Sequence, residues 1–343
     1  MATGLDTRPI AEPAARPRGR ALLWALAGLV VLVLASLALG SKPLPLGEVV
    51  TALWRDNGDP HTIVVDQRIP RTVLALLVGL SLGLAGALMQ GMTRNPLADP
   101  GLLGVGAGAQ LAIVLGAVLI PGAGELTFVW CALAGAAIVT VVVYLIGSAG
   151  GRGRSTVTLV LAGVAVGAVL AGISSAIRLF DRRAFLAGRA WDVGSVADTD
   201  WALIRLVAPF LLLGVLLAVV AAHGLNAVAL GDDLAASLGV RPWVVRSVVV
   251  LGVTLLCGAA TAAAGQVWFL GMMVPHVARW VTGPDQRRIL AWSAVLGALL
   301  MVGADVIGRV VVIPDEVPAG VVTALVGAPV LVYLVRRKGA SGL

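Results

Sequence analysis

The sequence predicts an all-α, polytopic membrane protein with about ten transmembrane helices. Apolar residues make up 59% of the 343 residues and charged residues only 13%, against about 45–50% and about 25% in a soluble domain. Apolar runs long enough to cross a bilayer recur along nearly the whole chain. Glycine is dense inside them: Gly79, Gly83 and Gly86 fall in one run, Gly104, Gly106 and Gly108 in the next. Small residues let helices approach closely in lipid, where no hydrophobic effect drives them together. This supports a compact bundle without locating a pathway.

Residues 1–20 hold Pro and Arg but no apolar period, as expected of a disordered cytoplasmic tail. The run at 21–40 is longer than the roughly 7–15 apolar residues of a secretory signal, so it reads as an uncleaved first span. Further spans follow near 72–92, 101–120, 126–147, 155–177, 205–222, 247–265, 267–281, 289–309 and 317–335. The eighth is short and interrupted by Pro275. The membrane domain is thus 21–337, with a short cytoplasmic tail at 338–343. An even count places both termini on one side. With that side cytoplasmic, 15 of the 25 Lys and Arg fall inside. Arg68, Arg71, Arg178, Arg182, Arg183, Arg189 and Arg309 are among those left outside, which predicts a basic outer face. Cys131 and Cys257 lie in apolar runs and read as packing residues.

Several function classes drop out. The net charge of +7 has no soluble basic face or base-stacking module behind it, so no nucleic-acid partner is expected. No His, Cys, Asp and Glu cluster has metal-ligand spacing, no nucleophile stands with a base, and no cofactor or catalytic residue is expected. The two lysines, Lys42 and Lys338, lie outside any GxxxxGK[ST] loop, so the chain carries no P-loop ATPase. An ion-gradient-coupled secondary transporter is the alternative, but such carriers hold ionisable groups deep in the membrane. Here only Asp305 falls within a span, near its outer end.

Two polar segments invite function. Residues 86–109, GALMQGMTRNPLADPGLLGVGAGA, place a proline-clamped polar turn between two spans. That is costly in lipid unless the turn meets a partner or a pathway, although a purely structural turn has the same outline. Residues 223–246 form the longest internal hydrophilic connection. Gly231 and Gly239 break it into short helical pieces, and Asp232 and Asp233 open the second, where carboxylates suit the helix dipole. This reads either as a docking element lying along the membrane or as an ordinary surface loop.

Five ordered motifs carry a resemblance. RIPR at 68–71, the 86–109 stretch, LNAVALGDDLAASLGV at 225–240, FLGMMVPHVAR at 269–279, and GADVIGR with PDEVPAGVVTALVGAPVLVYLVRR over 303–337 resemble permeases of the FecCD type, importers of iron-siderophores, haem and vitamin B12. The resemblance implies a type II ATP-binding-cassette importer permease in the bacterial inner membrane. Its implied partners are ATP-binding subunits, a second permease subunit and an extracytoplasmic substrate-binding protein. It implies that Arg68, Arg71 and Arg309 dock the binding protein, arginine forks being suited to carboxylates; headgroup snorkelling is the other reading. It assigns ATPase coupling to Gly231, Asp232, Asp233, Ala236, Leu238 and Gly239, and a cytoplasmic gate to Asn95 and Leu97 with Ser155 and Thr156 opposite. RAWDVGS at 189–195 resembles the family's short external helix at the channel mouth. Many members read Gly-Pro-Ile where this chain has Gly265, Gln266 and Val267, a departure that puts a glutamine near the mouth.

Overall fold

A computed structural model describes residues 18–40, 42–56, 58–148 and 156–338. All the expected spans are helical. In chain order they are α1 (Arg18–Ala38), α4 (Ile69–Thr93), α5 (Val105–Leu119), α6 (Glu125–Ser148), α7 (Thr156–Phe180), α9 (Trp201–Ala229), α11 (Pro242–Ala264), α12 (Leu270–Thr282), α13 (Gln286–Val311) and α14 (Ala319–Lys338). Between them lie the short helices α2 (Leu46–Trp54), α3 (Asp59–His61), α8 (Arg182–Asp192) and α10 (Asp232–Ser237). A π-helical stretch, Thr62–Arg68, joins α3 to α4, so one helical run covers Asp59–Thr93. Helix ends thereby define two faces of the bundle, called here the α8 end and the α10 end.

Among the described residues, seven helical runs are long and apolar enough to cross a membrane by themselves. Length sets α5 and α12 apart. With 15 residues, α5 spans about 22 Å, less than the roughly 30 Å of hydrocarbon; α12 has 13 residues and is shorter still. The missing length before α5 is supplied by the 94–104 segment, which climbs into the bundle instead of lying at its surface. Pro275 does not end α12, which runs through it. The expected pair of short helices at 223–246 is also revised. α9 continues to Ala229, because 223–229 keeps its helical hydrogen bonds, and only the six-residue α10 stands apart.

α4 is the central helix, packed most extensively on α13 and flanked by α9, α11 and α12. α5, α6 and α7 form a second group, joined to the first through α11. The α4–α13 contact works because glycines of both helices face each other at the crossing. A Cβ on Gly79 would strike the carbonyl oxygen of Gly297, and one on Gly297 would strike that of Gly79. One turn on, Gly83 lies against the Ser293 carbonyl. Dispersion and close backbone approach hold this pair where burial from water cannot.

Gly79→Val should therefore separate α4 from α13 and abolish recovery of monodisperse protein from membranes. Gly172→Ala, where an added Cβ meets nothing within 4 Å, should leave the elution profile unchanged in size-exclusion chromatography.

Candidate functional site: a re-entrant turn between two charge clusters

At the α8 end, the last turn of α1 leaves carbonyls without helical donors. Arg68 fills them: its Nη1 donates to Leu37 O at 2.7 Å and Ala38 O at 2.9 Å, and its Nη2 to Lys42 O at 2.6 Å. From α13, Arg309 Nη1 donates to Ser36 O at 2.9 Å and Nη2 to Ser36 Oγ at 2.5 Å. Asp305, one helical turn earlier, receives Arg309 Nη2 at 2.8 Å and Arg71 Nη2 at 2.7 Å, while Arg71 Nη1 reaches Glu316 at 2.7 Å. Asp305 and Arg309 are each 2% exposed.

Two of the three arginines expected at a docking face also have a structural task. Arg68 and Arg309 point inward and tie α1, α4 and α13 together; Arg71 alone keeps a carboxylate partner with substantial exposure, Glu316 at 30%. The expected basic outer face is revised. The mouth cavity here, about 540 Å³, is lined by four basic side chains (Lys42, Arg68, Arg71 and Arg309) and five acidic ones (Asp66, Glu125, Asp198, Asp200 and Glu316).

The turn after α4 is built residue by residue. Arg94 caps α4 in the left-handed region at φ 52°. Asn95 Oδ1 accepts the Leu97 N–H at 2.9 Å and its carbonyl accepts that of Ala98 at 3.1 Å, an Asx turn. Asp99 Oδ1 takes the Gly101 N–H at 2.8 Å and opens a 3₁₀ turn at Pro100–Leu103. Gly104, at φ 74°, then redirects the chain into α5. Glycines make room for this irregular backbone: a Cβ on Gly163 of α7 would strike the Leu102 carbonyl, and one on Gly271 of α12 would meet the Pro100 ring. Asn95 thus braces the turn, whereas Leu97 is 45% exposed and free to meet another surface. Ser155 lies outside the described residues, as does the side chain of Thr156, which opens α7.

Beside the turn lies a cavity of about 510 Å³ that runs from Asp99 and Leu102 past Gln110 and Met272 to Trp191, Asp192, Gln266 and Trp268. Its polar corner is a bridge that sequence reasoning missed: Asp192 receives Gln110 Nε2 and Arg178 Nη2, both at 2.5 Å. The available signal was Gln110 itself, a lone polar residue inside an apolar run. Trp191 is fixed by its indole N–H to Thr261 O at 2.9 Å, and the Gln266 N–H donates to Trp191 O at 2.9 Å. α8 is therefore tied to the α11–α12 link at the cavity's far wall.

At the α10 end the same turn meets the hydrophilic connection. Asp232, the first residue of α10, accepts Arg94 Nη2 at 2.7 Å and Arg246 Nη2 of α11 at 2.8 Å. Next to it, Asn226 of α9 donates to Asp285 at 3.0 Å and accepts the Gln286 N–H at 2.8 Å, bracing α9 against α13. That Asn226 amide, with the Arg287 N–H, holds the Asp285 carboxyl below the usual carboxylate range. Gly231, Asp233, Ala236, Leu238 and Gly239 complete α10 and its flanks; Leu234 and Leu238 project from it, 56% and 64% exposed.

A family model described as the FecCD transport family matches residues 28–337. The chain belongs to the FecCD transport family. It is 44% identical over 315 residues to the ferric enterobactin transport system permease protein FepD of Escherichia coli, covering 92% of this chain and 94% of that one. The iron(3+)-hydroxamate import system permease protein FhuB of Bacillus subtilis is 39% identical, over 93% of this chain and 84% of its own length. Among solved structures, a metal-chelate type ABC transporter in an inward-facing conformation superposes with TM-score 0.83 at 24% identity, covering 93% of this chain and 99% of that one. The fold is therefore the FecCD permease fold.

Removing one member of a buried ion pair costs about 3–5 kcal/mol because its partner keeps an uncompensated charge. Asp305→Ala should accordingly lower the thermal denaturation midpoint sharply. Asp198→Ala, an exposed carboxylate at the same mouth, should leave it unchanged.

Proposed function

We propose that this chain is the permease subunit of an ATP-binding-cassette importer that moves a ferric siderophore, or a similar metal chelate, into a bacterial cytoplasm. The observation that carries the reading is the three-way contact at Asp232. It joins α10, a short helix between spans, to the residue that starts the re-entrant turn, Arg94, and to α11. A lever that reaches the gate is useful only if something outside the chain pushes it, and the chain has no P-loop of its own. The relatives' names supply the cargo class: ferric enterobactin for FepD, an iron(3+)-hydroxamate for FhuB.

On this reading the α10 end and both termini face the cytoplasm. Exposed Leu234 and Leu238 seat α10 on an ATP-binding subunit, with Gly231, Asp233, Ala236 and Gly239 shaping that contact. A second permease subunit completes the pathway, and Leu97 closes against it as the inner gate, with Ser155 and Thr156 nearby. A substrate-binding protein docks over the α8-end mouth, where Arg71 and Glu316 are the exchangeable pair. ATP-driven closure below and docking above then bias two conformations of one fold. Cargo wrapped in its own chelator needs no metal ligands, and no metal-binding cluster occurs among the described residues.

A gradient-coupled carrier working alone would need a buried carboxylate free to load and release its ion. The deeply buried Asp305 is instead locked between Arg71 and Arg309 at the α8 end.

Two outcomes test the proposal. Asp232→Arg should abolish stable co-purification with the neighbouring ATP-binding subunit or uncouple its hydrolysis from uptake; wild-type uptake by that variant would refute the lever. Leu97→Trp should cut siderophore uptake at least ~10-fold, the effect of about 1.4 kcal/mol, while the ATPase still assembles. Uptake at the wild-type rate would remove Leu97 from the gate.

A further inference from the structure

A slot of about 510 Å³ opens on the flank of the bundle between α4, α9 and α13, away from the cavity beside the re-entrant turn. Buried Leu84, Ala218 and Leu290 form its floor, and exposed Val219 and Ala291 its rims. Alanines on both flanking helices leave the groove open where larger side chains would fill it. Its walls are apolar except at one end, closed by Arg287 and His223. Arg287 lies in the first turn of α13 and His223 within two turns of the end of α9, so both stand at the α10 end.

The two side chains are arranged for an anion. Arg287 Nη2 lies 2.6 Å from His223 Nδ1. A guanidinium has no acceptor and keeps its protons, so Nδ1 must accept and the imidazole is neutral, with its proton on Nε2. Among the described residues no carboxylate pairs with the Arg287 guanidinium. The neighbouring Asp285 is engaged by Asn226 at 3.0 Å, by Arg288 at 3.4 Å and by the main-chain N–H of Arg287 at 3.1 Å. Several donors therefore remain above a dry groove. From His223 to Val215 the groove follows about 12 Å of helix, less than half the hydrocarbon thickness, and so lies within one leaflet.

We infer that this slot binds one acyl chain of an anionic phospholipid, whose headgroup phosphate sits on Arg287 beside the Nε2–H of His223. An acyl chain supplies the dispersion contacts that an empty apolar groove forfeits. Basic groups at the membrane surface favour anionic headgroups, and a zwitterionic lipid brings its own cation to the same place. The inference takes from the proposed function only that the α10 end faces the inner leaflet. Its test needs neither transport nor an ATPase, so the two readings fail separately.

The test is native mass spectrometry of the full-length chain in detergent with phosphatidylglycerol, with phosphatidylcholine of the same acyl chains, and with inorganic phosphate. Phosphatidylglycerol should be retained roughly five-fold more than phosphatidylcholine, the scale of one basic residue near an anionic surface, and phosphate should not be retained. Arg287→Gln, a change at an exposed side chain, should erase the preference between the two lipids. Ala291→Trp, which fills the slot from its rim, should reduce retention of both. Equal retention of the two lipids by the wild type would overturn the inference, as would an undiminished preference in Arg287→Gln. Retention of inorganic phosphate matching that of phosphatidylglycerol would reduce the site to a headgroup contact and overturn the slot.

Discussion

Irregular backbone at membrane depth is the constraint on which the rest of this structure depends. An unpaired peptide group in hydrocarbon costs several kcal/mol, so the 94–104 segment can enter the bundle only where protein surrounds it. Each local feature answers that demand. Asn95 and Asp99 supply side-chain acceptors to the turn's own N–H groups. Gly163 and Gly271 let α7 and α12 close over the rest without a side chain in the way. The glycine density of the sequence is thus partly the imprint of one turn, and α5 can be short because that turn completes its crossing.

The two charge clusters differ in burial, and burial sets what each can do. Around Asp305 the partners are almost wholly enclosed, so leaving them exposes a bare charge to a low dielectric and the cluster acts as a clamp. Around Asp232, Arg94 and the carboxylate are 42% and 44% exposed. Pairs of that exposure are worth about 0–1 kcal/mol, so exchanging a partner there costs little. The same ion-pair chemistry therefore fixes one end of the bundle and leaves the other responsive.

The sequence displayed the helices plainly and the azimuth of charged residues poorly. Hydropathy reports how deep a residue sits along a span, and all ten expected spans are helical with ends shifted by a few residues. It does not report which way a side chain points. Arg68, Arg71 and Arg309 fall at span ends, where an outer docking face and a helix-capping role predict identical spacing. Only the position of α1, whose last carbonyls need donors, separates the two. The Gln110–Asp192–Arg178 bridge was hidden for a related reason, since its members lie on three different helices. The boundary between α9 and the hydrophilic connection was misplaced because 223–229 reads as polar enough for a surface loop. Those residues nonetheless keep their helical bonds through contact with α11, where Gly224 receives Val245.

α4 links these observations into one mechanical argument. It carries Arg71 near the clamp at one end and is capped at the other by Arg94, which pairs with Asp232 of α10. At its glycine seam with α13, Gly79 and Gly83 lie against the Gly297 and Ser293 carbonyls, so sliding one helix on the other would force backbone against backbone. Packed interfaces of this kind move as rigid bodies. If α10 is the coupling element proposed above, a push delivered through Arg94 would not be absorbed between α4 and α13. It would be felt at the cavity between the turn and α8, which the Gln110–Asp192 bond crosses. On that proposal, opening and closing of this cavity is the motion that the α4–α13 seam would pass on.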